Sequence, residues 1–175
     1  MAHPLQVDFF SRVASQFPNY FASQRVLEIG SLNINGTVRD FFKNCAYIGI
    51  DLGNGPGVDV VCSGEDYRSE LPFGVTISTE CFEHNPKWDK TFENMLNLTA
   101  SNGLIIVTSA SIGRGEHGTK RTTPYDSPFT CDTDYYKNLS IKDFTDKWNF
   151  EEIFKQYRFE YTNAHCDLYF VGVKK

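Results

Sequence analysis

Apolar residues first repeat at helical spacing: Leu5, Phe9, Phe10, Val13 and Phe17 share one face, and Pro18 closes the segment. The pattern predicts an amphipathic helix within residues 1–20. The period then changes. Arg25-Val26-Leu27-Glu28-Ile29-Gly30 is a short apolar run stopped by glycine, and Val38 to Phe42, after Gly36, reads as the helix that follows it. Further runs stand at Tyr47–Asp51, Val58–Cys62 and Val75–Thr79, with Gly53-Asn54-Gly55-Pro56-Gly57 as a turn between the first two. Asn85-Pro86 supplies an N-cap and first helical residue for a face of Trp88, Phe92, Met95, Leu96 and Thr99, ended by Asn102-Gly103. Leu104–Thr108 is a fifth strand.

Strands alternating with helices predict a parallel sheet whose ligand crevice lies beyond the strands' carboxyl ends. The carboxyl-terminal part differs. Ser140-Ile141-Lys142-Asp143 has the form of a capping box opening a short helix with Phe144 and Trp148. Tyr157, Phe159 and Tyr161 alternate with Gln156, Arg158 and Glu160, as in an edge strand with one wet face, whereas Leu168–Val173 is nearly continuous apolar. An antiparallel hairpin through Asn163-Ala164-His165 accounts for both. The expected fold is α/β: a Rossmann-like, mostly parallel sheet with a C-terminal antiparallel hairpin and helices on both faces.

The length of 175 residues suits one domain, and 41% hydrophobic residues with 15 Phe and 9 Tyr exclude a disordered chain. A net charge of −5 provides no field for phosphate backbones, so nucleic acid is disfavoured as a partner. The five cysteines, Cys45, Cys62, Cys81, Cys131 and Cys166, show no Cys-x-x-Cys pair and no zinc spacing; they read as reduced, mostly buried small hydrophobes, and no metal site is expected. The first eight residues lack a basic region followed by an apolar one, and no run approaches the ~18 apolar residues of a membrane span. A cytoplasmic location is expected.

Candidate chemistry starts at Gly30, where the chain leaves the first strand and a residue without Cβ lets backbone approach a ligand. Leu32 and Asn35 occupy the second and third glycine positions of a dinucleotide fingerprint, which argues against NAD or FAD. Asp51 follows 21 residues after Gly30 at a strand end, where a carboxylate can accept two hydrogen bonds from a ribose diol. Alone, either residue is most often a turn residue. Together they point to a nucleoside without a pyrophosphate.

These residues resemble the class I S-adenosylmethionine-dependent methyltransferases, particularly the small bacterial, type 11-like members attached to glycan or small-molecule pathways. Val26–Gly30 looks like the first motif of that family and Tyr47–Asp51 like the second. Ser78-Thr79-Glu80-Cys81-Phe82-Glu83-His84-Asn85-Pro86 resembles the segment after its fourth strand, including a Glu-His dipeptide. The resemblance covers most of the chain and implies a seven-stranded sheet with S-adenosylmethionine as cofactor. It places the methionine part on the loop Gly30 to Asn33, the ribose on Asp51 and the adenine beside Leu52. The implied cofactor set is Glu28, Gly30, Ser31, Asn33, Asp51, Leu52, Ser63, Gly64, Glu65, Glu80 and His84. One departure concerns Ser63, which stands where the family often has an acidic residue for the adenine amino group; Asp66 or Glu65 are candidate substitutes.

Methyl transfer from a sulfonium needs alignment, exclusion of water and, for a neutral nucleophile, a base. His117 and Glu116 are the candidate acid/base pair, in a segment spanning 111–139 that is too long for an ordinary connection and reads as the acceptor-binding loop. Arg114, Lys120 and Arg121 there are candidate anion holders. Tyr125, Tyr135 and Tyr136 are candidate flanks for a sugar or ring. Three functions compete: a methyltransferase acting on a small molecule or glycan intermediate, a non-catalytic subunit or sensor that binds S-adenosylmethionine or S-adenosylhomocysteine, and a remnant dehydrogenase. Exposed aromatics near Phe129 and Phe150 would suit a homo-oligomer.

Overall fold

The structure is a computed structural model that describes residues 4–175; residues 1–3 of the expected amino-terminal helical segment lie outside the described residues. In chain order the elements are α1 (Pro4–Gln16), β1 (Arg25–Ile29), β2 (Ala46–Asp51), β3 (Val60–Val61), β4 (Phe73–Thr79), α2 (Trp88–Leu98), β5 (Thr99–Ala110), α3 (Ile141–Thr145), α4 (Phe150–Ile153), β6 (Phe154–Thr162) and β7 (Asp167–Lys174). They build one seven-stranded sheet in the order β3-β2-β1-β4-β5-β7-β6. The first five strands are parallel to one another, and β7 runs antiparallel between β5 and β6.

Alternation along the strands divides the core in two. Val26, Val75, Ile77, Leu104, Ile106 and Val171 face α1 and its Phe9, Phe10 and Val13. Leu27, Ile29, Ile105, Val107 and Phe170 face the other way, onto Phe92 and Met95 of α2, Phe144 of α3 and Phe150 of α4. The helices thus cover both faces, as the sequence predicts.

Four local expectations are corrected. The segment from Val38 to Phe42 makes only one 3-10 turn, Arg39–Phe41, because its phenylalanines anchor separately: Phe42 stacks on Phe21 at 4.7 Å and Phe41 packs on Phe10 at 5.8 Å. The β1–β2 crossover therefore has no α-helix. The third strand shrinks to Val60–Val61, since Val58 belongs to the preceding turn and the Asp59 carboxylate accepts the Gly49 N–H at 2.7 Å. Helix α2 starts at Trp88 rather than Pro86, with Asn85 Oδ1 accepting the Lys87 N–H at 2.8 Å in the turn before it. That helix ends at Leu98 because the Thr99 hydroxyl turns back to the Met95 carbonyl at 2.6 Å and β5 begins at once, with Asn102 at φ +64° making an irregularity inside the strand.

The capping box is present: Asp143 Oδ2 accepts from the Ser140 N–H at 2.9 Å and from its hydroxyl at 2.7 Å. Trp148 lies beyond the end of α3 yet still packs on Phe92 at 4.8 Å. The hairpin forms with Phe159 opposite Phe170. Its outer face is drier than the alternation implies, for Glu160 bonds both Arg158 at 2.6 Å and Arg12 of α1 at 3.0 Å. All five cysteines are free and half-buried rather than mostly buried. Among the described residues, no helix is long and apolar enough to cross a membrane.

Candidate active site

The carboxyl ends of β1, β2 and β4 open into a cavity of about 580 Å³. At its floor, Gly30 takes φ +79°, and its N–H and that of Ser31 both donate to the Ile50 carbonyl at 2.9 and 3.1 Å, which folds the loop across towards β2. A Cβ on Gly30 would stand 2.5 Å from Cys81 Cβ, so glycine is required by both dihedral and space. Asp51 is oriented by two backbone amides, Leu32 N–H donating to Oδ2 at 3.0 Å and Leu52 N–H to Oδ1 at 2.7 Å. Each oxygen keeps a further lone pair for a ligand. Burial raises the Asp51 pKa above the ordinary aspartate value, while the two amides pull the other way.

Leu52, Ser63, Gly64 and Glu65 form the neighbouring wall. The Ser63 hydroxyl donates to Asp66 Oδ2 at 2.7 Å, and Glu65 is paired with Lys87 at 2.9 Å. Asp66 therefore carries the free acceptor on this wall. Gly64 is packed too closely for a side chain, since a Cβ would meet Thr91 at 2.6 Å.

Glu80 and His84, on the turn after β4, and His117, on the loop after β5, close the other end. Glu80 sits at φ +49°, an uncommon conformation for a residue other than glycine, with its N–H bound to the Thr108 carbonyl at 2.9 Å. Burial and the carboxylates of Glu83 and Asp167 push its pKa upward. Glu83 is fully buried and is likewise pushed up, chiefly by burial. The rings of His84, His117 and Tyr136 form a cluster with centroids 5.0 to 5.5 Å apart. Burial, with His117 nearby, lowers the His84 pKa to about 3, so its imidazole is neutral.

Four expected site residues are not in the cavity wall. Glu28 points to the opposite side of β1, where Tyr47 Oη donates to it at 2.7 Å and burial raises its pKa to about 7. Ser31 is buried where β2 leaves space at Gly49, and Asn33 Oδ1 accepts the Gly36 N–H at 2.8 Å within its own loop. Glu116 is held by Thr119 at 2.7 Å and Arg121 at 3.1 Å, which lower its pKa and direct it away from His117's cavity. Of the expected acid/base pair, only His117 lies in the cavity wall.

The cationic residues of the 111–139 loop are also committed internally. Arg114, though in the wall, pairs with Asp167 at 3.3 Å and donates to the His165 carbonyl at 2.8 Å, while Lys120 pairs with Asp132 at 3.5 Å and Arg121 with Glu116 and Asp134. The loop itself is ordered by two 3-10 turns, Pro124–Asp126 and Cys131–Thr133.

Sequence reasoning missed Cys81, Lys87 and the stretch from Asp126 to Thr130 as wall residues. Of the two aromatics expected at the surface, Phe129 is 37% exposed with its ring over Gly53, where a Cβ would stand 2.5 Å away, whereas Phe150 is 3% exposed in the core. Gly53 was the available signal, a glycine two residues after Asp51 where a ring needs room.

The strand order, the terminal antiparallel hairpin and the cavity at the β1–β2–β4 ends define the class I methyltransferase fold. Solved structures agree with this. The N-methyltransferase NodS of Bradyrhizobium japonicum, in complex with S-adenosylhomocysteine, is similar at TM-score 0.64 and 11% identity over 98% of this chain and 88% of that one. The 1,6-didemethyltoxoflavin-N1-methyltransferase of Burkholderia thailandensis, with its acceptor and S-adenosylhomocysteine bound, gives 0.60 and 12% over 100% and 92%. Phosphoethanolamine N-methyltransferase 2 of Haemonchus contortus, in complex with S-adenosylmethionine, gives 0.66 and 15% over 95% of this chain and 52% of that one. No protein-family model and no curated protein sequence matches the chain.

Proposed function

We propose that the protein is an S-adenosylmethionine-dependent methyltransferase acting on a small molecule, with a glycan or sugar intermediate as the acceptor class its resemblance suggests. The observation that carries this reading is Asp51, a carboxylate fixed by two backbone amides at the end of β2 and facing the same cavity as the Gly30 bend. The bound S-adenosylhomocysteine of NodS and of the toxoflavin enzyme, in folds of this order, supports it.

The residues present fit the cofactor. Asp51 offers two acceptors for a ribose diol, Leu52 and Ile34 offer apolar surface, and Asp66, turned by Ser63, offers an acceptor for the adenine amino group. Bound there, the cofactor supplies a methyl carbon on a sulfonium: the acceptor's lone pair forms the new bond as the carbon–sulfur bond breaks and its electron pair returns to sulfur. The protein's part is positioning and exclusion of water. The 111–139 segment supplies the acceptor side of the wall through His117 and Phe129, closing a cavity within the same single domain. His117 Nδ1 donates to the Gly115 carbonyl at 3.1 Å, which leaves Nε2 to take the acceptor's proton.

Calorimetry with S-adenosylhomocysteine and NAD, followed by an acceptor panel with methyl-labelled cofactor, tests this. Uptake of the first compound in preference to NAD, then label transfer, is expected. NAD binding equally well, or no uptake of S-adenosylhomocysteine, overturns it; uptake without transfer to any acceptor would favour a binding subunit.

A further inference from the structure

Glu83 and His84 stand on the 3-10 turn after β4, and His117 arrives from the loop after β5. Their spacing resembles no metal motif, yet the fold brings one ligand atom of each to within 4.8 Å of the others. Glu83 is 0% exposed, and neither of its carboxylate oxygens has a hydrogen-bond partner of good geometry; His84 is 5% exposed, and its Nδ1 has none either. Buried groups of this kind call for an explanation, because a buried carboxylate whose nearby donors are poorly aligned backbone amides, those of Glu83 itself and Ala110, is costly. The guanidinium of Arg114, which lines the same cavity, is spent on Asp167 and the His165 carbonyl.

Two further features prepare the cluster. The Nδ1–H of His117 is anchored on the Gly115 carbonyl, which fixes the tautomer with a lone pair on Nε2, the arrangement usual for imidazoles that bind metal. Gly118 lets the loop lie directly on His84, for a Cβ there would be 2.6 Å from Cε1 of its ring. Ligands at about 2.0–2.1 Å from one tetrahedral ion lie ~3.4 Å apart. A shift of roughly 1.4 Å by His117, with Gly115 and Gly118 near it in the loop, would close the set.

We propose that Glu83, His84 and His117 bind one divalent first-row transition ion at the acceptor end of the cavity. Two imidazoles and a carboxylate leave open positions suited to oxygen donors. If the methyltransferase reading holds, on which this further step rests, those positions take the acceptor, which is then an oxygen-chelating molecule such as a vicinal diol or hydroxy acid. A hydroxyl bound to such an ion is acidified and gives its proton to solvent as the methyl is transferred, and His117 acts as a ligand instead of as the base.

The test is a Co²⁺ titration of the full chain after EDTA stripping, read by visible ligand-field absorption. One equivalent is expected to bind, with affinity reduced at least ~10-fold in both His117→Ala and Glu83→Gln. The first variant alters a half-exposed loop residue and the second is nearly isosteric, so far-ultraviolet circular dichroism should show both folded. Absence of the bands, or unchanged binding in the two variants, overturns the site. Calorimetry with S-adenosylhomocysteine on the same stripped protein separates the two readings: its binding survives if only the ion site is wrong.

Discussion

Replacing Asp51 by alanine removes the two acceptors that the structure aims at the cavity and strands the Leu32 and Leu52 amides that now hold them. A hydrogen bond to a charged group contributes about 1.5–3 kcal/mol. Two such bonds to a ribose diol, with water entering the gap, lead to an expected loss of about 3 kcal/mol, or roughly 100-fold or more in Kd for S-adenosylhomocysteine. Asp51→Asn keeps one oxygen, so a loss of roughly 10-fold is expected, one bond's worth. Isothermal titration calorimetry on both variants gives the numbers. Glu116→Gln, outside the cavity and paired at the surface with Arg121, is the control and should bind as the unmodified protein does. Binding by Asp51→Ala within about threefold of the unmodified chain, or an equal loss in the control, would refute the reasoning.

Gly30→Ala meets both a positive φ and the Cys81 side chain, and is expected to cost about 2–4 kcal/mol, lowering Tm by roughly 5–15 °C; adding Cys81→Gly should recover only the steric part. Glu28, whose pKa burial raises to about 7, binds its proton more tightly in the folded state, so the stability it contributes at acid pH is lost as pH rises from about 4.5 to about 7. Other buried carboxyls share that slope, so the informative quantity is the difference: Glu28→Gln should remove on the order of 3 kcal/mol of the decline in urea unfolding between pH 5 and 8, and parallel curves would count against it. Phe129→Ala withdraws the ring from Gly53 and should raise the dissociation rate of S-adenosylhomocysteine about tenfold in stopped flow; an unchanged rate would show that the ring does not guard the cavity.

Much of the fold was legible because the continuous apolar runs of β1, β4 and β7 and the helical stripe of α2 are set by burial on both faces of one sheet. That Gly30 and Asp51 face one cavity was legible for a related reason: they are separated by a fixed length of loop and strand. What escaped the sequence depends on contacts between distant segments. Helical spacing from Val38 to Phe42 could not show that Phe41 and Phe42 are claimed by Phe10 and Phe21. Adjacent residues Glu116 and His117 look like a pair, yet Thr119 and Arg121 draw the first outward while only the second reaches His84. The meeting of Glu83 with His117 spans α2, β5 and their flanking loops, beyond any local motif. For Glu28, the period of the strand was the overlooked signal, since a residue beside inward-facing Leu27 and Ile29 must point to the other side.

The β1–β2 crossover carries only a single 3-10 turn, and β3 joins the sheet through just two residues, both exposed. This corner has the thinnest cladding of the molecule, and fraying under native conditions should begin there. Asp51 nevertheless ties the Leu32 amide of one loop to the Leu52 amide of the next, so a nucleoside gripping that carboxylate would serve as a strut for the weakest margin of the sheet. Occupancy and local rigidity would rise and fall together.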